Sequence, residues 1–279
     1  MIPYLHLGPF TLPTFGLMVA TALVIASYIL NADFYRRGIR ADAFLIIGIA
    51  GLSGIVGARL YHVLESPAEF FADPWPLLIS RFGFAWFGGF LGGFAALLLI
   101  ARGTLARIFA TLKFKELAQS LQLGRVSVLE FLDTCSPAAS AGYAIGRIGC
   151  YLSGDGDYGI PTTLPWGMSF PNGVVPTNQR VHPTPLYELF AWMLIAYVLW
   201  RLGARFLQQK RSAGLVFCVY LVLTGIARFL VEMIRLNPRS FFGMSNAQAA
   251  SVASVLLGLI LYFLVVRNSN AGAAERVAS

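Results

Sequence analysis

Charge is what this sequence has least of. Only 12% of its 279 residues are Asp, Glu, Lys or Arg, about half the share of a soluble domain. That scarcity excludes a disordered, charge-solvated chain. Cysteine is scarce as well: Cys135, Cys150 and Cys218 are the only three. They have no CxxC spacing and lie in or beside apolar stretches, so neither a disulfide framework nor a structural zinc site is expected. The glycines follow no three-residue period, which excludes a collagen-like fibre. What fills the chain instead is apolar: 57% hydrophobic residues and a mean hydropathy of +0.69. These residues gather into blocks of about 17–25 residues, the length a bilayer-spanning helix needs.

Seven such blocks read as spanning helices: residues 12–31, 43–64, 84–101, 128–151, 184–202, 214–235 and 247–266. The expected fold is therefore all-α, a single polytopic membrane domain over residues 1–279. Its partner is a lipid bilayer. The first block reads as a span and not as a cleavable signal, because residues 1–14 hold no Lys or Arg. The net charge of +8 could suggest nucleic acid. However, the basic residues sit in loops between apolar blocks, where topology explains them, and no nucleic acid is expected. Fourteen of the 21 lie in the 32–42, 102–127 and 201–213 loops and the C-terminal tail. Four (Arg81, Arg180, Arg235 and Arg239) lie on the other side. The positive-inside rule then places the N-terminus outside and the C-terminus in the cytoplasm.

The remaining three, Arg59, Arg147 and Arg228, fall inside apolar blocks. A charge near the bilayer centre costs roughly 2.5–3.5 kcal/mol on insertion scales, so such residues face a polar cavity or a partner. At about 1.5 Å of rise per residue, all three reach the outer half of the membrane, the depth of outer-leaflet phosphates. Snorkelling or pairing with a helix carboxylate is the plainer account of any one of them. Their common depth points to an anionic ligand.

Gly146-Arg147-Ile148-Gly149-Cys150 ends the fourth block and runs into Gly154-Asp155-Gly156-Asp157-Tyr158-Gly159. Glycines permit close backbone approach, and a guanidinium offers phosphate a forked, permanent cation. The two aspartates lack EF-hand spacing and a closing Glu, so no metal is expected. Arg228 and Glu232 stand four apart and share a helix face. Glu188 and Asp133 are further intramembrane carboxylates in need of partners. His182 opens the fifth helix with Pro185 in its first turn, on the outer side. The 153–183 segment is rich in Gly, Pro and Thr and is expected to be an irregular outer head.

Together these residues resemble the prolipoprotein diacylglyceryl transferases of bacterial inner membranes. The resemblance runs in order through Phe15-Gly16-Leu17-Met18, Gly57-Ala58-Arg59, Gly88-Gly89 with Leu91-Gly92, and Gly146-Arg147-Ile148-Gly149. It continues through His182-Pro183-Thr184-Pro185-Leu186-Tyr187-Glu188, Arg228-Phe229-Leu230-Val231-Glu232 and Gln248. It implies transfer of diacylglycerol from phosphatidylglycerol to the lipobox cysteine in the signal-peptide region of a preprolipoprotein. Glycerol phosphate leaves, and no cofactor takes part. It also implies that Arg147 and Arg228 hold the phosphate. Arg59, Gly88, Gly89, Gly146, Cys150, Asp155, Asp157, Gly159, Glu188 and Glu232 are expected to line the substrates.

The chain departs from the family pattern at definite places. The usual His-Gly-Gly reads Phe87-Gly88-Gly89, and the usual asparagine after Gly-Arg-x-Gly is Cys150. The family histidine is thus absent, and His182 is expected to take the proton of the acceptor thiol, with Glu232 or Asp157 as alternatives. Two other readings stay open. One is a divergent paralogue that binds anionic phospholipid or uses another acceptor, with Cys150 as acceptor or nucleophile. The other is a lipid transporter, for which paired inverted repeats are not evident.

Overall fold

The computed structural model describes residues 1–75, 86–239 and 242–278. Arg81 and the first two residues of the expected third span lie outside them. The chain is mostly helical. Its helices are α1 (Thr14–Arg37), α2 (Ala43–Glu65), α3 (Pro67–Ala72), α4 (Trp86–Ala101), α5 (Thr104–Thr111), α6 (Lys115–Ser120), α7 (Val128–Ser153), α8 (Thr184–Gln208), α9 (Leu215–Glu232) and α10 (Asn246–Ala278).

Among the described residues, five helices are long and apolar enough to cross a membrane: α1, α2, α8, α9 and the first part of α10, Asn246–Ser269. A sixth span results if Phe87–Ala101 and Thr104–Thr111, bent by 78° at their junction, act as one. This is the composition of an all-α polytopic membrane protein. Helix α7 covers the expected fourth span but is less apolar, with Glu130, Asp133 and Arg147 along it, and more than half of its residues are buried. It is an internal helix whose small residues, such as Ala138, Ser140 and Ala141, let neighbours approach closely.

Two short antiparallel hairpins complete the fold. β1 (Tyr4–Leu7) pairs with β2 (Phe10–Pro13), Tyr4 opposite Pro13, around a turn that uses Gly8 at φ +61°. β3 (Met168–Phe170) pairs with β4 (Thr177–Val181) inside the 153–183 segment, which is otherwise turns and extended chain. Elements this short carry too little alternation to stand out in a sequence.

The chain divides into two compact units, Asn31–Val128 and Met1–Leu30 with Leu129–Ser279. In the first, Asp42 caps α2 by accepting from the amides of Phe44 and Leu45 at 2.9 and 3.1 Å. Helices α2 and α4 then meet backbone to backbone. A Cβ on Gly88 would lie 2.3 Å from the Gly57 carbonyl oxygen, and one on Gly92 would lie 2.3 Å from that of Ser53. Only glycine allows this approach. Arg59 sits half-buried on α2 in the same unit.

In the second unit, α8 and α9 pack through Ile195, Leu199 and Val216, with Tyr220 and Leu223 against them. Asp133, on α7, caps α9 from outside. Its two oxygens accept from the amides of Gly214 and Phe217, both at 2.7 Å. That supplies partners to otherwise orphaned donors and sets a negative charge at the positive end of the helix dipole.

Candidate active site

The second unit gathers three arginines and three carboxylates at one place. Arg147 comes from α7, Asp157 from the segment after it, Glu188 from the start of α8, and Arg228 and Glu232 from α9. Arg235 follows one turn beyond the end of α9. Glu188 is the hub and is completely buried. Its Oε1 accepts from Arg228 Nη1, and its Oε2 lies 3.0 Å from Arg147 Nε and 3.6 Å from Arg235 Nη1. Glu232 lies 3.0 Å from Arg228 Nη2 and 3.7 Å from Arg235 Nε. Asp157 gives one oxygen to each of two arginines, Oδ2 to Arg147 Nη1 and Oδ1 to Arg235 Nη2. The formal charges of the six cancel, the condition under which such groups can be buried at all.

Three members, Glu188, Arg147 and Glu232, are held by further contacts. Tyr143, four residues before Arg147 on α7, donates to Glu188 Oε1 at 2.9 Å and accepts from Arg147 Nη2 at 2.7 Å. Its ring stacks on Trp192 of α8 with centroids 4.6 Å apart. Ser245 and Asn237 both donate to Glu232 Oε1. Gln248 and Ser245 bond each other's backbone amides in return, a local capping arrangement at the start of α10. Arg147 Nη1 also lies 3.4 Å from the buried Cys150 Sγ.

Gly159 joins the loop to the end of α9. Its amide donates to the His182 carbonyl at 2.8 Å, and it forms a β-bridge with Arg235. A Cβ there would lie 2.6 Å from the Ile234 carbonyl oxygen, so a side chain would push Asp157 away from Arg235. Gly154 and Gly156, at φ +61° and +91°, take the tight turns that return the chain to this point. Gly146 differs: nothing lies within 4 Å of a Cβ built on it. Its face of α7 is open beside Arg147.

The electrostatics separate the two loop aspartates. Burial raises the Asp155 carboxyl above its ordinary value, and the neighbouring Asp157 raises it further. Burial would raise Asp157 too, but the guanidinium groups of Arg147 and Arg235 outweigh it and hold this carboxyl low. Donor atoms of Cys150, Asp155 and Asp157 lie within 4.8 Å of one another. With both Asp157 oxygens on arginines, this cluster is arranged for guanidinium groups, not for a metal ion.

The His182 ring bonds to a tyrosine and not to the arginines. Its Nδ1 lies 3.1 Å from the Tyr187 hydroxyl, which accepts from Trp166 Nε1 at 2.8 Å. Arg59, Gly88 and Gly89 belong to the Asn31–Val128 unit. Two members of the cluster escape a reading by apolar blocks. Arg235 counts among the outer-side basic residues because it stands at the very end of the sixth apolar block. Its place seven residues after Arg228 and three after Glu232 puts it on their helix face. Tyr143 is marked only by lying one turn before Arg147.

Comparison with known proteins gives the family. The family profile described as prolipoprotein diacylglyceryl transferase matches residues 3–264. A phosphatidylglycerol–prolipoprotein diacylglyceryl transferase of Clostridium tetani is 27% identical over 252 residues, covering 89% of this chain and 91% of its own. The proteins of that name from Leifsonia xyli and Bifidobacterium adolescentis are each 30% identical, covering 93% and 95% of this chain and 75% and 78% of theirs. A match over nearly the whole length takes in the arginine cluster and both of its carboxylate helices, and the chain belongs to the prolipoprotein diacylglyceryl transferase family.

Proposed function

We propose that this protein transfers the diacylglycerol of phosphatidylglycerol to the lipobox cysteine thiol in the signal-peptide region of a preprolipoprotein. The observation that carries this is the meeting of Arg147 and Arg228 on one buried carboxylate, Glu188. The thiol sulfur attacks the glycerol carbon, the carbon–oxygen bond breaks, and the electron pair leaves on the phosphate of glycerol phosphate. Negative charge grows on the phosphate oxygens, and guanidinium groups fixed in a water-poor site stabilise it without reorganising. The thiol proton passes to His182, which stands on the outer-side loop with Tyr187.

The proposed setting is the bacterial inner membrane, with seven spans once α7 and the bent α4–α5 pair are counted. The N-terminus is outside, the C-terminus is cytoplasmic, and residues 153–183 form the outer head of one membrane domain. Gly146 leaves room for lipid beside Arg147, and Glu188 and Glu232 orient the arginines. In the Asn31–Val128 unit, Arg59 is a further cation for anionic lipid, and Gly88 and Gly89 serve by letting α4 approach α2 closely. No metal or organic cofactor is required.

The test is transfer of labelled diacylglycerol from phosphatidylglycerol to a lipobox peptide, alongside complementation of a transferase-depleted bacterium. Transfer and rescue are expected. A second reading, a binder of anionic phospholipid that does not transfer, draws on Cys150 at the family's asparagine position. Phosphatidylglycerol binding without transfer at any pH would favour it.

A further inference from the structure

Asp157 differs from the other two carboxylates of the cluster in three ways. It comes from a loop and not a helix, its side chain is 30% exposed where those of Glu188 and Glu232 are 0%, and it bridges two arginines with one oxygen each. A phosphate binds a pair of guanidinium groups in this same manner, with a separate oxygen on each fork. Both arginines have carboxylates other than Asp157 within ion-pair distance, Arg147 at 3.0 Å and Arg235 at 3.6 and 3.7 Å. Arg147 keeps Glu188 through Nε and Tyr143 through Nη2. Arg235 keeps Glu188 through Nη1 and Glu232 through Nε. If Asp157 withdraws, Arg147 Nη1 and Arg235 Nη2 are each left with a donor to offer at the place it occupied.

The charge balance adds a constraint. Three arginines already face three carboxylates, so a phosphodiester arriving beside them leaves the cluster with one negative charge too many. The cheapest relief is departure of the carboxylate that solvent and loop motion can reach. Gly154 and Gly156 flank Asp155 just before it, both in the left-handed region, and such a segment can change its course with little steric cost.

We infer that Asp157 is a resident anion, holding the phosphate's place between Arg147 and Arg235 and yielding it when a phosphate-bearing ligand enters. The inference rests on the transferase reading for the identity of that ligand. Asp157 is a positioning residue on this account: it keeps two buried arginines paired and aligned while the site is empty. It also sets the affinity for the headgroup, because every phosphate that binds must first displace it. Selectivity follows, since a neutral lipid has no anion with which to exchange.

The test uses the full-length protein in maltoside micelles alone, with phosphatidylglycerol, or with inorganic phosphate. Carbodiimide-coupled amine labelling of Asp157, read by mass spectrometry, reports whether its carboxylate has left the arginines. Labelling is expected to rise several-fold with phosphatidylglycerol. A rise with inorganic phosphate as well identifies the phosphate as the shared recognition element. A rise with inorganic phosphate alone supports the exchange and overturns phosphatidylglycerol as the ligand. Unchanged or reduced labelling in both arms overturns the exchange, whether or not the enzyme transfers lipid. Asp157→Asn supplies a second readout: inhibition by glycerol phosphate at about tenfold lower concentration, with a lower KM for phosphatidylglycerol. Asp157→Glu is expected to restore values near those of the unmutated protein. Equal or weaker inhibition in a folded Asp157→Asn variant overturns the inference.

Discussion

Tyr143 donates its hydroxyl to Glu188 Oε1 at 2.9 Å, and that same oxygen accepts from Arg228. One phenol on α7 and one carboxylate on α8 thereby tie together arginines from α7 and α9. The cluster is a single bonded unit, so losses within it should not add independently.

Glu188→Ala removes the hub and leaves buried cations short of a partner. Such a change destabilises by about 3–5 kcal/mol when one member of a buried pair is lost. The detergent-solubilised variant should melt well below the unmutated protein, and Glu188→Gln, which keeps the shape and an acceptor, should fall between. An unchanged melting temperature in Glu188→Ala would show that the hub is not structural.

Arg147→Lys and Arg228→Lys keep the charge but lose the fork. Arg147 contacts Asp157, Glu188, Tyr143 and Cys150 through three different nitrogens, which one ammonium cannot reproduce. Transfer to a lipobox peptide should fall about 100-fold in each. Normal rates in both would remove the shared-phosphate reading.

Two glycines should respond in opposite ways. Gly88→Ala drives a methyl into the Gly57 carbonyl and the Tyr61 Cβ, each 2.3 Å away. It should cost about 1–3 kcal/mol or more. Gly146→Ala meets nothing within 4 Å, so its melting temperature should hold. A raised KM for phosphatidylglycerol in that stable variant would mark the open space beside Arg147 as lipid-occupied; an unchanged KM would remove Gly146 from the site.

The loop aspartates should pull stability in opposite directions with pH. Asp155 is raised in the folded protein by burial and then by Asp157. Its contribution is fully present below the ordinary carboxylate value and is lost as pH climbs through the raised one. Asp157 is lowered by Arg147 and Arg235, against burial. Its contribution is present above the ordinary value, about 3.9, and is lost as pH falls through its depressed one. Melts at pH 7 should place Asp155→Asn above the unmutated protein and Asp157→Asn below it. The Asp155→Asn advantage should vanish once pH is well under about 3.9. The reverse order at pH 7 would contradict the assigned charges.

His182→Ala should reduce transfer and leave folding intact, because the ring bonds to the Tyr187 hydroxyl and not to the arginines. A free thiol ionises near pH 8.5, so raising the pH toward that value should restore part of the lost rate. Full activity in the variant from about pH 6 to 9 would take His182 out of the mechanism.

Legible in the sequence alone was everything that repeats along one helix or follows from hydropathy. Apolar blocks, loop charges, the Arg228–Glu232 spacing and the motifs that mark the family are all local or compositional. So was the need of Arg147, Glu188 and Asp133 for partners, since a charge in an apolar block demands one. Who the partners are was not legible. Asp133 meets the amides of Gly214 and Phe217, Asp157 meets Arg235, and Glu188 meets arginines from two other helices. Helical periodicity relates a residue only to those three, four or seven places away. Which faces of α7, α8 and α9 oppose one another, and at what height, depends on side-chain packing such as Tyr143 on Trp192 and on the close backbone approach at Gly159. Those contacts exist only once the helices have assembled, and they turned separate buried charges into one neutral cluster.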